Sequence, residues 1–282
     1  MKLLTSMLKG FRGLLSLLTT LPVGSGSLEE AAEAFYMAPL AGVVVGLLIA
    51  IALYPVTLLA LGIETGWLLV GSVYVTLHVI VTGGLHLDGF ADYSDVLGSR
   101  ASGLRALSIL KDPRRGSYAV VAVTLNLLLS VASAAIIAQR LPIGHVQGLA
   151  VLLAVLASIY ASSSESMFLV LSSSPPEPYE GMARLFSVKA KSLRSRALNL
   201  TAYMASMMLP AVILASTLGL REAVAVLAST SLVQTVIALA VSRDATSRLG
   251  FANGDVAGFS YELSRVASLT TVAVALAWLS RA

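Results

Sequence analysis

Long apolar stretches separated by short polar ones run the whole length of the chain. A helix crossing the hydrocarbon core of a bilayer needs about 20 mostly apolar residues. Seven stretches reach or approach that length: roughly 37–61, 65–85, 117–138, 147–172, 198–219, 221–242 and 264–280. The pattern predicts an all-α, polytopic transmembrane helix bundle of about seven spans, built as a single integral membrane domain over residues 1–282. The second stretch opens at Gly66-Trp67, and Gly219 with Arg221-Glu222 divides the fifth from the sixth. The last is short and carries Trp278, which suits a membrane interface. A re-entrant first stretch would lower the count to six. Ahead of the spans, residues 1–19 interleave Lys2, Lys9 and Arg12 with leucines. The apolar runs between these charges are too short to cross, so this segment predicts an amphipathic helix lying in the interface. No small-residue cleavage site precedes Leu21-Pro22-Val23, which argues against a removable signal.

Composition agrees. Of 282 residues 57% are hydrophobic and 12% charged, with a mean hydropathy of +0.86; soluble domains carry about 25% charged residues. The absence of cysteine excludes disulfides and thiolate metal sites. Lysine and arginine then set the orientation, because they concentrate on the cytoplasmic side. With a cytoplasmic N-terminus, the inner pieces are 1–19, 86–116, 173–197 and 243–263. Counted with Arg265 at the last boundary, these hold 16 of the basic residues, and Arg140, Arg221 and Arg281 remain outside. The expected location is the cell membrane, and the expected partner is the lipid bilayer, with no nucleic acid.

The candidate chemistry lies in those inner pieces. Asp88, Asp92 and Asp95 are spaced i, i+4, i+7 and share one face of a helix. Stacked carboxylates repel, and near a bilayer they also lose hydration. A cation relieves both penalties, and carboxylates are hard ligands suited to Mg²⁺, Mn²⁺ or Ca²⁺. A solvated acidic face is the simpler alternative, but such faces usually mix in Lys or Gln. Gly83, Gly84 and Gly89 would let a substrate or another backbone come close. His86 is either catalytic or a hydrogen-bonding group; His78, inside a span, and His145, on the far side, read as structural. In Lys111-Asp112-Pro113-Arg114-Arg115-Gly116, Asp112 is a fourth candidate metal ligand. The basic residues there suit phosphate, or else anchor the loop. In Asn253-Gly254-Asp255-Val256-Ala257-Gly258 with Glu262, Asp255 and Glu262 are i, i+7 with Gly258 between them; the plainer reading is a helix start capped by Asn253 or Asp255. The loop Tyr179 to Phe186, which includes Glu180, says little by itself. The residues point to metal-dependent phosphoryl-group transfer at the cytoplasmic face.

At these residues the chain resembles the cobalamin-5′-phosphate synthase (adenosylcobinamide-GDP ribazoletransferase) family. The resemblance lies in Thr82-Gly83-Gly84-Leu85-His86-Leu87-Asp88-Gly89-Phe90-Ala91-Asp92, in Lys111 to Gly116, and in Gly254-Asp255-Val256-Ala257-Gly258 with Glu262. Leu21-Pro22-Val23, Pro39-Leu40-Ala41-Gly42 and Tyr179 to Phe186 look like its remaining landmarks, in the same order. Thr20, Val96, Pro113, Ala119 and Asn253 depart from the family pattern, and none of these removes a carboxylate. The resemblance implies an Mg²⁺-dependent enzyme (Mn²⁺ as a substitute) that joins adenosylcobinamide-GDP to α-ribazole or its 5′-phosphate and releases GMP. It implies a metal site at Asp88, Asp92, Asp95 and Asp112. It also implies substrate contacts at Gly84, Gly89, Lys111, Arg114, Arg115, Glu180, Gly254, Asp255, Gly258 and Glu262. One of the carboxylates or His86 would take the proton of the attacking hydroxyl. A homo-oligomer, or contact with other cobalamin-assembly enzymes, is a further implied partnership. Two alternatives stay open: a CDP-alcohol-type phosphotransferase, whose D-G-x-x-A-R pattern the chain lacks, and a cation transporter, which would place ionisable residues near span centres.

Overall fold

The computed structural model describes residues 2–24, 26–142 and 146–279. His145 and Arg281, both placed outside by the charge pattern, fall beyond the described residues. All regular secondary structure among the described residues is helical apart from one isolated bridge. Helix α1 (Lys2–Leu18) is followed by the short α2 (Leu28–Glu33), where Ser27 and Glu30 form a reciprocal capping box. Among the described residues, six helices are long and apolar enough to cross a membrane. They are α3 (Ala38–Leu59, extended by a 3₁₀ turn from Phe35), α7 (Ser117–Arg140), α8 (Val146–Ser173), α10 (Leu193–Thr217), α11 (Leu220–Leu249) and α12 (Gly254–Leu279). Between α3 and α7 lie α4 (Gly66–Thr82), α5 (Leu85–Gly98) and the short α6 (Gly103–Leu110); α9 (Met182–Ala190) follows α8. The chain is a multi-pass membrane protein.

The second stretch departs from a plain span. Gly83 and Gly84 both adopt left-handed backbone, at φ 64° and 70°, and α5 turns 97° away from α4. Only glycine enters this region without steric cost, so the pair works as a hinge between two helices. Thr20 satisfies the carbonyls freed by the break: its hydroxyl donates to the Ile80 oxygen at 2.9 Å and its N–H to that of Val81 at 2.9 Å. Counting α4 with α5 as one broken span brings the total to seven.

Helix α8 is the central post, buried along nearly its whole length from Val151 to Leu171. Phe35, ahead of α3, meets Phe168 near the end of α8 at a ring distance of 5.3 Å and Phe186 of α9 at 5.0 Å. The start of α3 therefore lies beside the end of α8. With alternating helix directions, α5, α9 and the starts of α3, α7, α10 and α12 meet at one end of the bundle.

The boundaries between the last two spans differ from the hydropathy reading. The last span begins at Gly254 rather than near 264, and α11 continues to Leu249 rather than stopping near 242. Charged residues at these ends lower the local hydropathy, yet Glu262 and Arg265 are buried as a pair and Asp244 is paired with Arg248. Arg265, counted above as a boundary cation, is fully buried within α12. That leaves Arg243 and Arg248 as the basic residues at the surface of this segment. Exposed Ser102, Ser192 and Ser247 all lie at the α5 end. Single cysteines placed there in this cysteine-free chain should react with an impermeant maleimide only in inverted vesicles. Reaction in intact cells at any of the three would reverse the charge-based orientation.

Candidate active site

Four segments meet around α5. The first is its own face. Asp88 is well exposed, and the guanidinium of Arg115 lies between it and Asp92, ion-paired to both. Arg115 thus occupies the place between two carboxylates where a cation relieves their repulsion. Asp95 is engaged differently. It accepts the Gly116 N–H at 2.7 Å and the Ala119 N–H at 2.9 Å, and so caps α7 from outside. Helix starts carry unpaired N–H groups and a partial positive charge, which a carboxylate satisfies. A β-carbon on Gly116 would sit 2.4 Å from the Asp95 carboxylate. Gly116→Ala should therefore break this cap and lower stability by about 1.5–3 kcal/mol, the range for a hydrogen bond to a charged group. Thermal unfolding in detergent would show it, and an unchanged midpoint would remove Asp95 from that role.

The second segment is the α6–α7 loop. Asp112 is folded back onto Arg114, accepting from its backbone N–H at 3.0 Å and from its guanidinium at 2.9 Å. The Arg114 side chain and backbone hold the Asp112 carboxyl well below its ordinary range, at about 2. Lys111 reaches the other way, with its ammonium 5.0 Å above the ring of Tyr179.

That ring belongs to the third segment, the loop between α8 and α9. Pro176 pairs with Ala252 in the isolated bridge, and the Ala252 N–H donates to the Pro175 oxygen at 3.1 Å. The loop is thereby tied to the turn that opens α12. Glu177, which the sequence reading passed over, comes close to Asp255 and Lys111. Its carboxyl is pushed up by burial and by the Asp255 charge, with Lys111 opposing. Glu180 is exposed on the same loop.

The fourth segment is the start of α12. Asn253 caps it, accepting the Val256 N–H at 3.1 Å, and donates to the Asp255 carboxylate at 2.8 Å. Asp255 lies against α5. A β-carbon on Gly89 would come within 2.9 Å of the Asp255 backbone, and one on Gly258 within 3.1 Å of the His86 oxygen. These two glycines let the helices touch backbone to backbone. Gly84 and Gly254 face open space instead. The His86 ring is buried against Tyr261 at a centroid distance of 4.0 Å.

Glu262 is the candidate that stands apart. It is fully buried within α12, bonded to His78 at 2.8 Å and to Arg265 at 2.8 Å. It faces a polar network between helices rather than the meeting point of the other segments. Among the described residues, no three His, Asp or Glu side chains converge as a preformed metal cage.

Two cavities flank Asp88. A groove of about 430 Å³ lies between α5 and α7, bordered by Gly84, Asp88, Arg115 and Val120. A smaller cavity of about 180 Å³ lies on the opposite side, bordered by Phe35, His86, Met167, Phe186 and Asp255, with Asp88 again at its edge.

A family model described as cobalamin-5-phosphate synthase matches residues 10–273. The chain belongs to this family. A Rhizobium johnstonii protein named adenosylcobinamide-GDP ribazoletransferase is 30% identical over 252 residues, covering 89% of this chain and 88% of its own. One of the same name from Pseudomonas aeruginosa is 32% identical over 262 residues, covering 92% and 96%. No solved structure matches the chain. Within the cobalamin-5-phosphate synthase family's span, the structure draws Asp88, Asp92, Asp95, Arg115, Gly89, Asp255 and Gly258 together. Asp112, Arg114 and Lys111 stand at the rim. Tyr93, which donates to Asp244 at 2.7 Å, braces α5 from behind together with the Arg248–Asp244 pair. Its sequence signal was only its place within the acidic motif.

Proposed function

We propose that the chain is an adenosylcobinamide-GDP ribazoletransferase acting at the cytoplasmic face, with α-ribazole or its 5′-phosphate as acceptor. The family match over residues 10–273 carries this reading. A ribose hydroxyl of the acceptor attacks the phosphorus next to the cobinamide alcohol. The bond to the GMP oxygen breaks, and adenosylcobalamin or its 5′-phosphate forms with GMP as the leaving group. The CDP-alcohol and transporter alternatives lose to the family match.

The donor set fits a hard divalent cation. Asp88 and Asp92 already hold a positive charge between them, supplied by Arg115. These two would hold Mg²⁺, or Mn²⁺ in its place. Asp95 and Asp112 spend their oxygens on α7 and on Arg114. The ion would neutralise pyrophosphate charge and stabilise the departing phosphate. The remaining work falls to side chains. Arg115, with Lys111 and Arg114 at the rim, binds phosphate oxygens. Asp255 borders the smaller cavity, and in this reading it would take the proton of the attacking hydroxyl. Gly84 and Gly254 leave room for the reactants.

Membranes carrying the chain, supplied with adenosylcobinamide-GDP and α-ribazole, should form a cobalamin and equimolar GMP. A chelator should cut the rate by about 100-fold or more, and added Mg²⁺ should restore it. Failure to form the corrinoid product would reject the reading, and full activity in chelator would reject the metal.

A further inference from the structure

We propose that the smaller cavity beside Asp88 is the seat of the heteroaromatic base of α-ribazole. This assignment rests on the transferase reading above. The two reactants differ sharply in shape. One is a macrocycle carrying a nucleoside pyrophosphate; the other is a nucleoside with a flat, largely apolar bicyclic base. The two cavities differ in the same way. The α5–α7 groove is bounded by Val120, itself 60% exposed, and so opens to the outside of the bundle. The smaller cavity is less open: α1, α5, α8, α9 and the start of α12 wall it, with Leu85 and Met182 exposed at its mouth. A volume of about 180 Å³ admits a bicyclic ring and excludes a macrocycle.

The walls match the base. Phe35, Met167, Leu171 and Phe186 are all buried and apolar. Phenyl edges pack on ring faces, and a thioether adapts to an aromatic edge. The ionisable groups at this cavity are His86, Asp88 and Asp255. An apolar pocket with a few convergent polar groups fixes the orientation of an amphipathic ligand. The base would fill the apolar part, leaving the ribose against Asp88 and Asp255. An acyl chain would suit the walls but would set hydrocarbon against the ionisable groups, which gain no hydrogen bond from it. The same pose directs the ribose toward Asp88, the one carboxylate that borders both cavities. Base and pyrophosphate would then approach Asp88 from opposite sides. Met167 and Phe186 become residues that set which base is accepted.

The chain has no cysteine, so Ala183→Cys places one thiol in the lining of this cavity. α-Ribazole at about ten times its Kd should slow maleimide labelling of that thiol about tenfold, by mass action. GDP at the same concentration should not, and labelling of Ser247→Cys should not change. In turnover, Met167→Trp should raise KM for α-ribazole about tenfold or more while KM for adenosylcobinamide-GDP stays within about twofold. Phe186→Ala enlarges the pocket and should shift preference toward a ribazole with a tricyclic base; it also serves if the tryptophan variant fails to accumulate. Protection without turnover by the unsubstituted chain would keep the pocket and reject the transferase reading. Turnover with no protection, or with both KM values rising together, would overturn the assignment. So would slowing of labelling by added phospholipid but not by α-ribazole, which would make the cavity a lipid site.

Discussion

Asp88→Asn should lower turnover by about 10²- to 10³-fold, the usual cost of removing one preorganised charged group from a reacting centre, while leaving the thermal unfolding midpoint unchanged. The two halves of this expectation have separate causes. Asp88 is 60% exposed, and among the described residues it is ion-paired to Arg115, itself 39% exposed. A surface pair of this kind contributes about 0–1 kcal/mol, so its loss is nearly silent in stability. The same carboxylate borders both cavities and, with Asp92, forms the place where positive charge is held. Asparagine keeps the shape and removes the charge. Asp92→Asn should behave alike in turnover. Asp95→Asn should differ in stability: two backbone N–H groups of α7 depend on that carboxylate, so its substitution should lower the melting midpoint. Parallel measurement of rate and melting in detergent separates the three. Rates within about threefold of the unsubstituted chain for both Asp88→Asn and Asp92→Asn would return these residues to a solvated acidic face.

The contrast marks how far the sequence could be read. Hydropathy and length placed the spans, because a bilayer demands a continuous apolar helix and leaves little choice of architecture. The i, i+4, i+7 spacing placed three carboxylates on one face. It could not separate their tasks, since that depends on where the start of α7 arrives, and Gly116 meets Asp95 across 21 positions. Glu177 was hidden for a similar reason. It sits among serines and prolines in a segment that looks like a plain loop. Only the bridge from Pro176 to Ala252 carries it to Asp255. Gly89 and Gly258 were legible as places of close approach, but not what approached, which is the backbone of the opposing helix. The start of α12 was missed because Asp255, Glu262 and Arg265 lower its hydropathy. A charged pair inside one helix is invisible to a scale that counts each residue as if alone in lipid. The resemblance implies a substrate contact at Glu262, and its partners in the structure are His78 and Arg265.

Arg265→Met should cost about 3–5 kcal/mol, the range for leaving one member of a buried ion pair uncompensated, and most of the protein should fail to accumulate folded. Arg265 is completely buried. Its guanidinium donates to Glu262 at 3.0 and 2.8 Å, to Asn126 at 2.7 Å, to Ser130 at 3.1 Å and to the Tyr74 hydroxyl at 3.3 Å. Glu262 in turn meets His78, and His78 meets Tyr160 at 3.0 Å. One side chain thus joins α4, α7 and α12, and the network extends through His78 to Tyr160 of α8. A folded domain is stable by about 5–15 kcal/mol, so a loss of this size removes much of the margin. Lysine should not rescue it, because a single ammonium lacks the planar fork that reaches Glu262, Asn126 and Ser130 together. Glu262→Gln combined with Arg265→Met should recover much of the folded yield, since removing both charges is often neutral where removing one is not. Size-exclusion profiles and melting midpoints of the single and double variants form the required cycle. The double variant also decides the role of Glu262. If it folds and turns over, the pair is a strut that sets α12 against α4; if it folds and is inactive, Glu262 acts on the reaction. A single Arg265→Met protein that accumulates and melts like the unsubstituted chain would show that the pair contributes nothing to holding the bundle.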